Sequence, residues 1–320
     1  MPAVLPPRSK TIPKEKASSF FSGLRAREYR ELRNAALTIR DVEWNNLGTR
    51  IACALTDKIV RVWNPEKPEI RYSTELRGHT AAVEKISWDP THPDRLASAG
   101  GDGYIRFWDV RSAKCLNSIQ SGGDCITMEY SPDGSHLVIG SKDDVVSVID
   151  TKQLQVLKTH REETQTNQII WTHSGEYVLQ TTGNGQVRFR HWPTWEQVYT
   201  MDAHASACFC LALDPRGTIL AVGGSDALIS LWDTKEWLCV NTLTRMENPV
   251  RKVGFSFDGA YICGSSDESN NIEIAHVETA EYVATIPTLS PVSSIAWHPN
   301  KYYLAYSGEA SGLKIVGAGV

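Results

Sequence analysis

The feature that most constrains this chain is a period. Seven positions, Trp63, Trp108, Ile149, Arg190, Trp232, Ala275 and Val316, recur at steps of 45, 41, 41, 42, 43 and 41 residues, each near the end of a short β-type run. The clearest unit is residues 77–109, RGHTAAVEKISWDPTHPDRLASAGGDGYIRFWD. It holds three such runs, 83–88, 95–99 and 104–108, punctuated by Asp89-Pro90, Pro93-Asp94 and Asp102-Gly103, and a further run, 115–119, supplies a fourth strand. Asp-Gly is a strong hairpin signal because glycine tolerates the positive φ of a two-residue turn. The first runs of the other units fall at 39–44, 126–130, 168–171, 208–213, 250–255 and 292–297. Six of the seven first runs are followed by NNLG, SPDG, HSG, DPRG, SFDG or HPN.

A small sheet cannot cover its own apolar faces, so each unit needs a neighbour on both sides. Seven units at this spacing predict an all-β chain, a seven-bladed β-propeller. Residues 77–109, opened by Gly-His and closed by Trp-Asp, resemble a WD repeat, which makes the expected fold a WD-repeat propeller. That resemblance implies a buried polar chain of Asp102, His79, Ser98 and Trp108. A buried carboxylate, imidazole, hydroxyl and indole are costly unless they satisfy one another. Ser98, His79 and Asp102 also have the composition of a hydrolytic triad, but a triad is defined by geometry and roles, and the structural reading is preferred. The other units keep fewer of these positions. The fifth has His204, Asp226 and Trp232 with Val222 in the place of Ser98, and the third has Asp143 with Ile149. The fourth has Asn184 for the Asp, and its His160 stands two residues too far from Trp171. Apolar faces are expected to hold the degenerate units.

The last unit runs out of chain before its outer strand, and residues 28–32 are expected to fill that place and join the two ends. The chain is therefore divided into a basic N-terminal arm, 1–28, and a ring, 29–320, closed by an N-terminal strand. Residues 1–17, rich in Pro, Lys and Ser, are expected to be disordered. Residues 18–34 suit a short helix capped by Ser18 or Ser19, with 28–32 alternatively extended. Phe20, Phe21 and Leu24, apolar and clustered ahead of the repeats, are candidates for docking a partner. Residues 1–33 carry a net charge of +5, which leaves −9 on the remainder of a chain whose total is −4. An acidic body is a poor clamp for nucleic acid, so any direct RNA contact is expected in the arm.

Little in the sequence points to catalysis or to a metal. There is no phosphate-binding GxxxxGK[ST], no HExxH, no GxSxG and no CxxC. Asp143-Asp144 reads as a turn rather than a cation site, and His173 and His298 are isolated imidazoles in inter-strand turns. The seven cysteines read as reduced core residues; Cys208 and Cys210, two apart, are expected to point the same way. The first residues lack the apolar core of a secretory leader, and no run approaches the length of a membrane span. An intracellular place, no enzyme activity, no cofactor and no membrane contact are the expectations.

Four stretches are more specific than the repeat pattern: GSKDDVVSVID (140–150), TTGNGQVRF (181–189), GGSDALISLWD (223–233) and PVRKVGFSFDG (249–259). With YRELRNAALTIRDVEW (29–44), they resemble the family of WD-repeat subunits of the THO complex, subunit 3. The resemblance runs from about residue 29 to 316 and implies a non-enzymatic scaffold of a nuclear assembly coupling transcription to mRNA packaging and export. Its partners would be other THO subunits and mRNA-export factors. A rival reading rests on Arg111. The box Ile105–Arg111 resembles the WDxR sequence by which some WD-repeat proteins attach to the adaptor of a cullin-type ubiquitin ligase, with Arg111 as the contact. A signalling scaffold belongs to the same rival class.

Overall fold

The computed structural model describes residues 9–30, 38–307 and 312–318. They form seven four-stranded antiparallel sheets. Blades 1 to 6 take their strands in chain order from residues 39–77, 83–120, 125–161, 166–202, 208–243 and 252–287. Blade 7 is built from residues 295–307 and 312–317 and is completed by a strand from the N-terminus.

The periodic positions occupy one structural place. On the third strand of each blade they face an aliphatic residue of the second: Ile51 opposite Trp63, Leu96 opposite Trp108, Leu137 opposite Ile149, Val178 opposite Arg190. Leu220, Ile262 and Leu304 face Trp232, Ala275 and Val316 in the same way. The inner strands are buried almost without alternation, as Ile51–Leu55 and Ile59–Trp63 are throughout, because each sheet is covered on both faces. The core is accordingly seven wedges, one at each blade junction. Val60, Leu76, Val83 and Trp108 belong to the wedge of blades 1 and 2, and Tyr29, Trp63, Leu313 and Ile315 to that of blades 7 and 1.

The first strands fall where the punctuation places them, with late starts in blades 6 (Lys252–Phe255) and 7 (Ile295–Trp297). There the Val250 N–H donates to Gly224 O of blade 5 and the Val292 N–H to Ser266 O of blade 6, so these segments begin by bonding the blade before them. First strands have an unpaired edge toward the axis, and polar side chains cover it. Four equivalent amides, of Val42, Ile86, Ile169 and Leu211, donate to Ser294 Oγ (3.1 Å), Asp41 Oδ2 (3.4 Å), Thr127 Oγ1 (3.0 Å) and Gln168 Oε1 (3.1 Å) of the preceding blade. Each such bond satisfies a buried donor and ties two blades together.

Arg25–Arg30 closes the ring, pairing antiparallel with Gly312–Gly317 from Arg25 opposite Gly317 to Arg30 opposite Gly312. It starts three residues before the expected segment, of which Glu31 and Leu32 lie outside the described residues, and it spans the 28/29 division. Upstream, the expected disorder does not hold for residues 9–17, while 1–8 lie outside the described residues. A helix runs Lys14–Ser22 with Pro13, not Ser18 or Ser19, at its N-cap. Ala17 and Phe21, one turn apart, turn into the wedge of blades 6 and 7 with Tyr261 and Tyr302. The Ile12 N–H donates to Tyr302 Oη (3.1 Å), the Tyr261 hydroxyl donates to Ile12 O (2.8 Å), and Lys14 pairs with Glu281 (2.7 Å). A polar composition concealed one apolar face that the ring covers.

Candidate interaction sites on the ring

Blade 2 assembles the polar chain from four segments. Asp102 Oδ1 lies 3.0 Å from His79 Nδ1, His79 Nε2 lies 2.8 Å from Ser98 Oγ, and the Trp108 indole donates to the same oxygen at 2.8 Å. Burial holds the imidazole below its usual pKa and so favours the neutral ring, although Asp102 pulls the other way. With Nδ1–H donating to the carboxylate, Nε2 accepts from Ser98, whose oxygen accepts from Trp108. Each group in the chain thus has a partner. The Asp-His-Ser order is that of a triad, but Ser98 is fully buried and its oxygen already receives the indole N–H. No substrate reaches it.

Blade 5 completes the same chain with an oxygen from a different strand. His204 Nδ1 meets Asp226 Oδ2 at 2.9 Å, Val222 supplies no hydroxyl, and Ser230, two residues before Trp232, takes both His204 Nε2 (2.9 Å) and the indole N–H (2.7 Å). Blade 4 replaces the chain position by position with an ionic one. Glu162 stands four residues before Thr166, as His79 stands four before Val83; Gln180 faces Ile169 as Ser98 faces Ile86; Arg190 holds the Trp place. Glu162 Oε2 binds Arg190 Nη2 at 2.6 Å and Arg188 Nη1 at 3.5 Å, while Gln180 donates to Glu162 Oε1 (3.4 Å) and accepts from Arg190 Nε (3.2 Å). The sequence carried this signal as Glu, Gln and Arg at almost the offsets of His, Ser and Trp. His160, weighed for this role, instead stacks on Trp195 with centroids 5.0 Å apart.

Other single residues resolve as follows. His298 is buried, with Nε2 3.1 Å from Gly48 O and Nδ1 accepting from the Asn300 amide; burial, then Lys301, push its pKa down to about 4. A Cβ on Gly48, at φ +68°, would lie 2.2 Å from the imidazole ring. His173 and Asp143 are exposed. Cys208 and Cys210 do not share a face: the register shifts between them, sending Cys208 into the wedge of blades 4 and 5 and Cys210 into that of 5 and 6. No group of three or more His, Cys, Asp or Glu among the described residues could hold a metal ion.

Phe21 is 2% exposed and packs on Tyr261 and Tyr302 (4.9 and 5.8 Å), Phe20 lies against Tyr302 (5.7 Å), and Leu24 is half-buried beside them. The arm's apolar cluster thus docks on its own ring. Arg111 is exposed in the turn after the third strand of blade 2. Exposed apolar side chains are most numerous on the outer edges of blades 2 to 5, at Leu116, Val156, Leu157, Val198, Leu238 and Val240, with single ones at Tyr72 of blade 1 and Leu289 between blades 6 and 7. The outer edge of blade 6 is covered by the helix, and that of blade 7 is the closing strand. No helix among the described residues is long and apolar enough to cross a membrane.

Seven blades closed end to end, with a buried Asp-His-Ser-Trp chain, define a WD-repeat β-propeller. A solved β-propeller domain, Cps50 (Swd1) of Myceliophteria thermophila, superposes with a TM-score of 0.80 over 91% of this chain and 99% of that one, at 19% identity, which bears on the fold alone. The profile of the THOC3 β-propeller domain matches residues 36–307, and the chain belongs to that family, the THO complex subunit 3 propellers. It is 36% identical to THO complex subunit 3 of Arabidopsis thaliana over 90% of this chain and 91% of that protein. It is 34% identical to WD repeat-containing protein AAC3 of Dictyostelium discoideum over 84% of this chain, spanning 61% of that longer protein. The family is generally non-enzymatic.

Proposed function

We propose that this chain is a non-enzymatic scaffold of a nuclear THO-type assembly that couples transcription to mRNA packaging and export. It holds other THO subunits and export factors against the outer edges of blades 2 to 5. The observation that carries the reading is the uneven rim: apolar side chains lie open on four successive blades, while helix and closing strand occupy the next two. Partner affinity concentrates in a few desolvated apolar anchors, and exposed apolar patches mark such places. RNA is met indirectly or through the basic arm, where Lys10, Lys16 and Arg25 are exposed.

The test is recovery of the tagged chain from nuclear extract with partners read by mass spectrometry. Val198→Asp with Val240→Asp should lose THO partners while melting as the parent does, and Arg111→Ala should retain them. Loss of partners with Arg111→Ala alone, accompanied by a cullin adaptor in the parent sample, replaces this reading with the ligase one.

A further inference from the structure

The turns between first and second strands share one face of the ring, and on it blades 2, 3 and 4 form a groove of two lobes. One lobe, of about 380 Å³, has Trp88 and Tyr130 on its walls; the other, of about 350 Å³, has Trp192; they meet at Pro132, Trp171 and His173. Glu43 and Glu129 lie at one end and Asp133 at the other, and no Lys or Arg among the described residues lines either lobe. Hydrogen bonds from Ser131 and Ser135 outweigh burial at Asp133 and hold it at about 2, so it is charged at neutral pH. Burial pushes Glu129 up to about 7, with Lys252 of blade 6 opposing and Asp41 adding to the rise, and it pushes Glu43 well above the usual carboxylate range, so a cation seated beside them would draw both toward the charged form.

Trp171 itself breaks a rule of this ring. Trp44, Trp88 and Trp297 end their first strands and donate their indole N–H to a carbonyl of the preceding blade: Ala296 O (3.1 Å), Glu43 O (3.0 Å) and Gly254 O (3.1 Å). Each acceptor stands one residue before the end of the neighbouring first strand, and for Trp171 the equivalent is Glu129. Trp171 occupies the same place at 4% exposure, yet its Nε1 has no acceptor. Its ring lies instead edge-on to Trp192 (5.8 Å) and beside His136 (6.4 Å). One inter-blade latch is absent where the aromatic groove runs, and the donor it leaves without a partner is closed to solvent.

We propose that this groove binds an extended, arginine-containing segment of a partner protein, its guanidinium placed against the aromatic wall beside Glu129 and Glu43. A planar, weakly hydrated guanidinium suits both partners at once, an aromatic face and a carboxylate, where a lysine ammonium serves as a point charge only. Aromatic walls also stack nucleic-acid bases, but such sites pair them with rows of cations that follow the phosphates, and here the ionisable groups lining the lobes are carboxyls, with one ammonium, Lys158, over the Trp192 ring at 5.7 Å. The acidic body draws a basic segment toward the face.

The experiment uses the full chain and three fluorescent probes: a decapeptide of alternating Arg and Pro, the same peptide with Glu for Arg, and a single-stranded uridine decamer. The Arg peptide should bind at least tenfold more tightly than the Glu peptide, and the RNA should not displace it. Glu129→Gln and Trp171→Phe should each weaken it at least fivefold with unchanged melting. Photo-crosslinking of the Arg peptide to the unsubstituted chain keeps the test open should a variant misfold, and the crosslinks should fall in residues 130–136 and 171–175. Equal affinity for both peptides, displacement by RNA, crosslinks elsewhere, or full affinity in both folded variants would overturn the proposal.

Discussion

An indole N–H and an imidazole set side by side need one oxygen between them, and the ring takes it from whichever strand brings one within reach. Ser98 on the second strand serves blade 2 and Ser230 on the third serves blade 5. Ser230→Ala should therefore cost about 1–3 kcal/mol by stranding two buried groups, whereas Val222→Ala should cost only lost packing; chemical denaturation of both variants compares them. Glu162→Ala leaves buried Arg188 and half-buried Arg190 without their carboxylate, and removing one member of such a network costs about 3–5 kcal/mol. Replacing Glu162, Gln180 and Arg190 together by apolar residues should cost far less, which a mutant cycle read by denaturation would show. Acid acts here too. His298 titrates near 6.5 when unfolded and at about 4 when folded, so between those values the unfolded chain binds the extra proton. Its contribution is intact above 6.5 and falls as pH drops toward 4, by about 1.4 kcal/mol per unit. His298→Gln should flatten the melting temperature over that window, and an unchanged slope would assign the acid loss elsewhere.

Elements in this ring are held from two sides, by their own ladder and by the neighbouring blade. The inner latches are single hydrogen bonds, so Thr127→Val should cost about 1 kcal/mol, registered at the junction of blades 3 and 4. The helix Lys14–Ser22 is a larger element of the same kind. Too short to persist alone in water, it depends on its packed face. Composition alone argues that residues 1–17 can be removed at little cost. The packing reverses that expectation, since Ile12 bonds both Tyr302 and Tyr261 and Ala17 is fully buried. Phe21→Ala should cost about 3–5 kcal/mol, as large buried aromatics do, and Phe20→Ala less. Equal melting of the two variants would mean that the helix does not hold the position described.

The whole molecule is a chain of wedges whose two ends meet in one sheet, the N-terminal strand completing the last blade. Removing residues 1–30 takes away the helix and the closing strand together and leaves Gly312–Gly317 as an open edge. That truncation should elute as oligomers and lose its sharp melt, whereas a closed monomer melting cooperatively would show that the last blade holds without its N-terminal strand. The number of blades, the marker place on each third strand and the first-strand positions were legible in the sequence. They rest on local chemistry, a turn that needs glycine and an apolar pattern that repeats, and local chemistry survives in the order of residues. The need for a closing strand was legible as well, because an unfinished sheet demands one. Packing decided the rest: that Ser230 and not residue 222 completes blade 5, that Glu162, Gln180 and Arg190 replace a neutral chain by an ionic one, that Phe21 faces its own ring, and that Trp171 alone lacks a latch its counterparts make. Each of these depends on a distance of about three to six ångströms between atoms of different strands, set by how sheets twist and wedge together. An offset along the chain does not encode that distance.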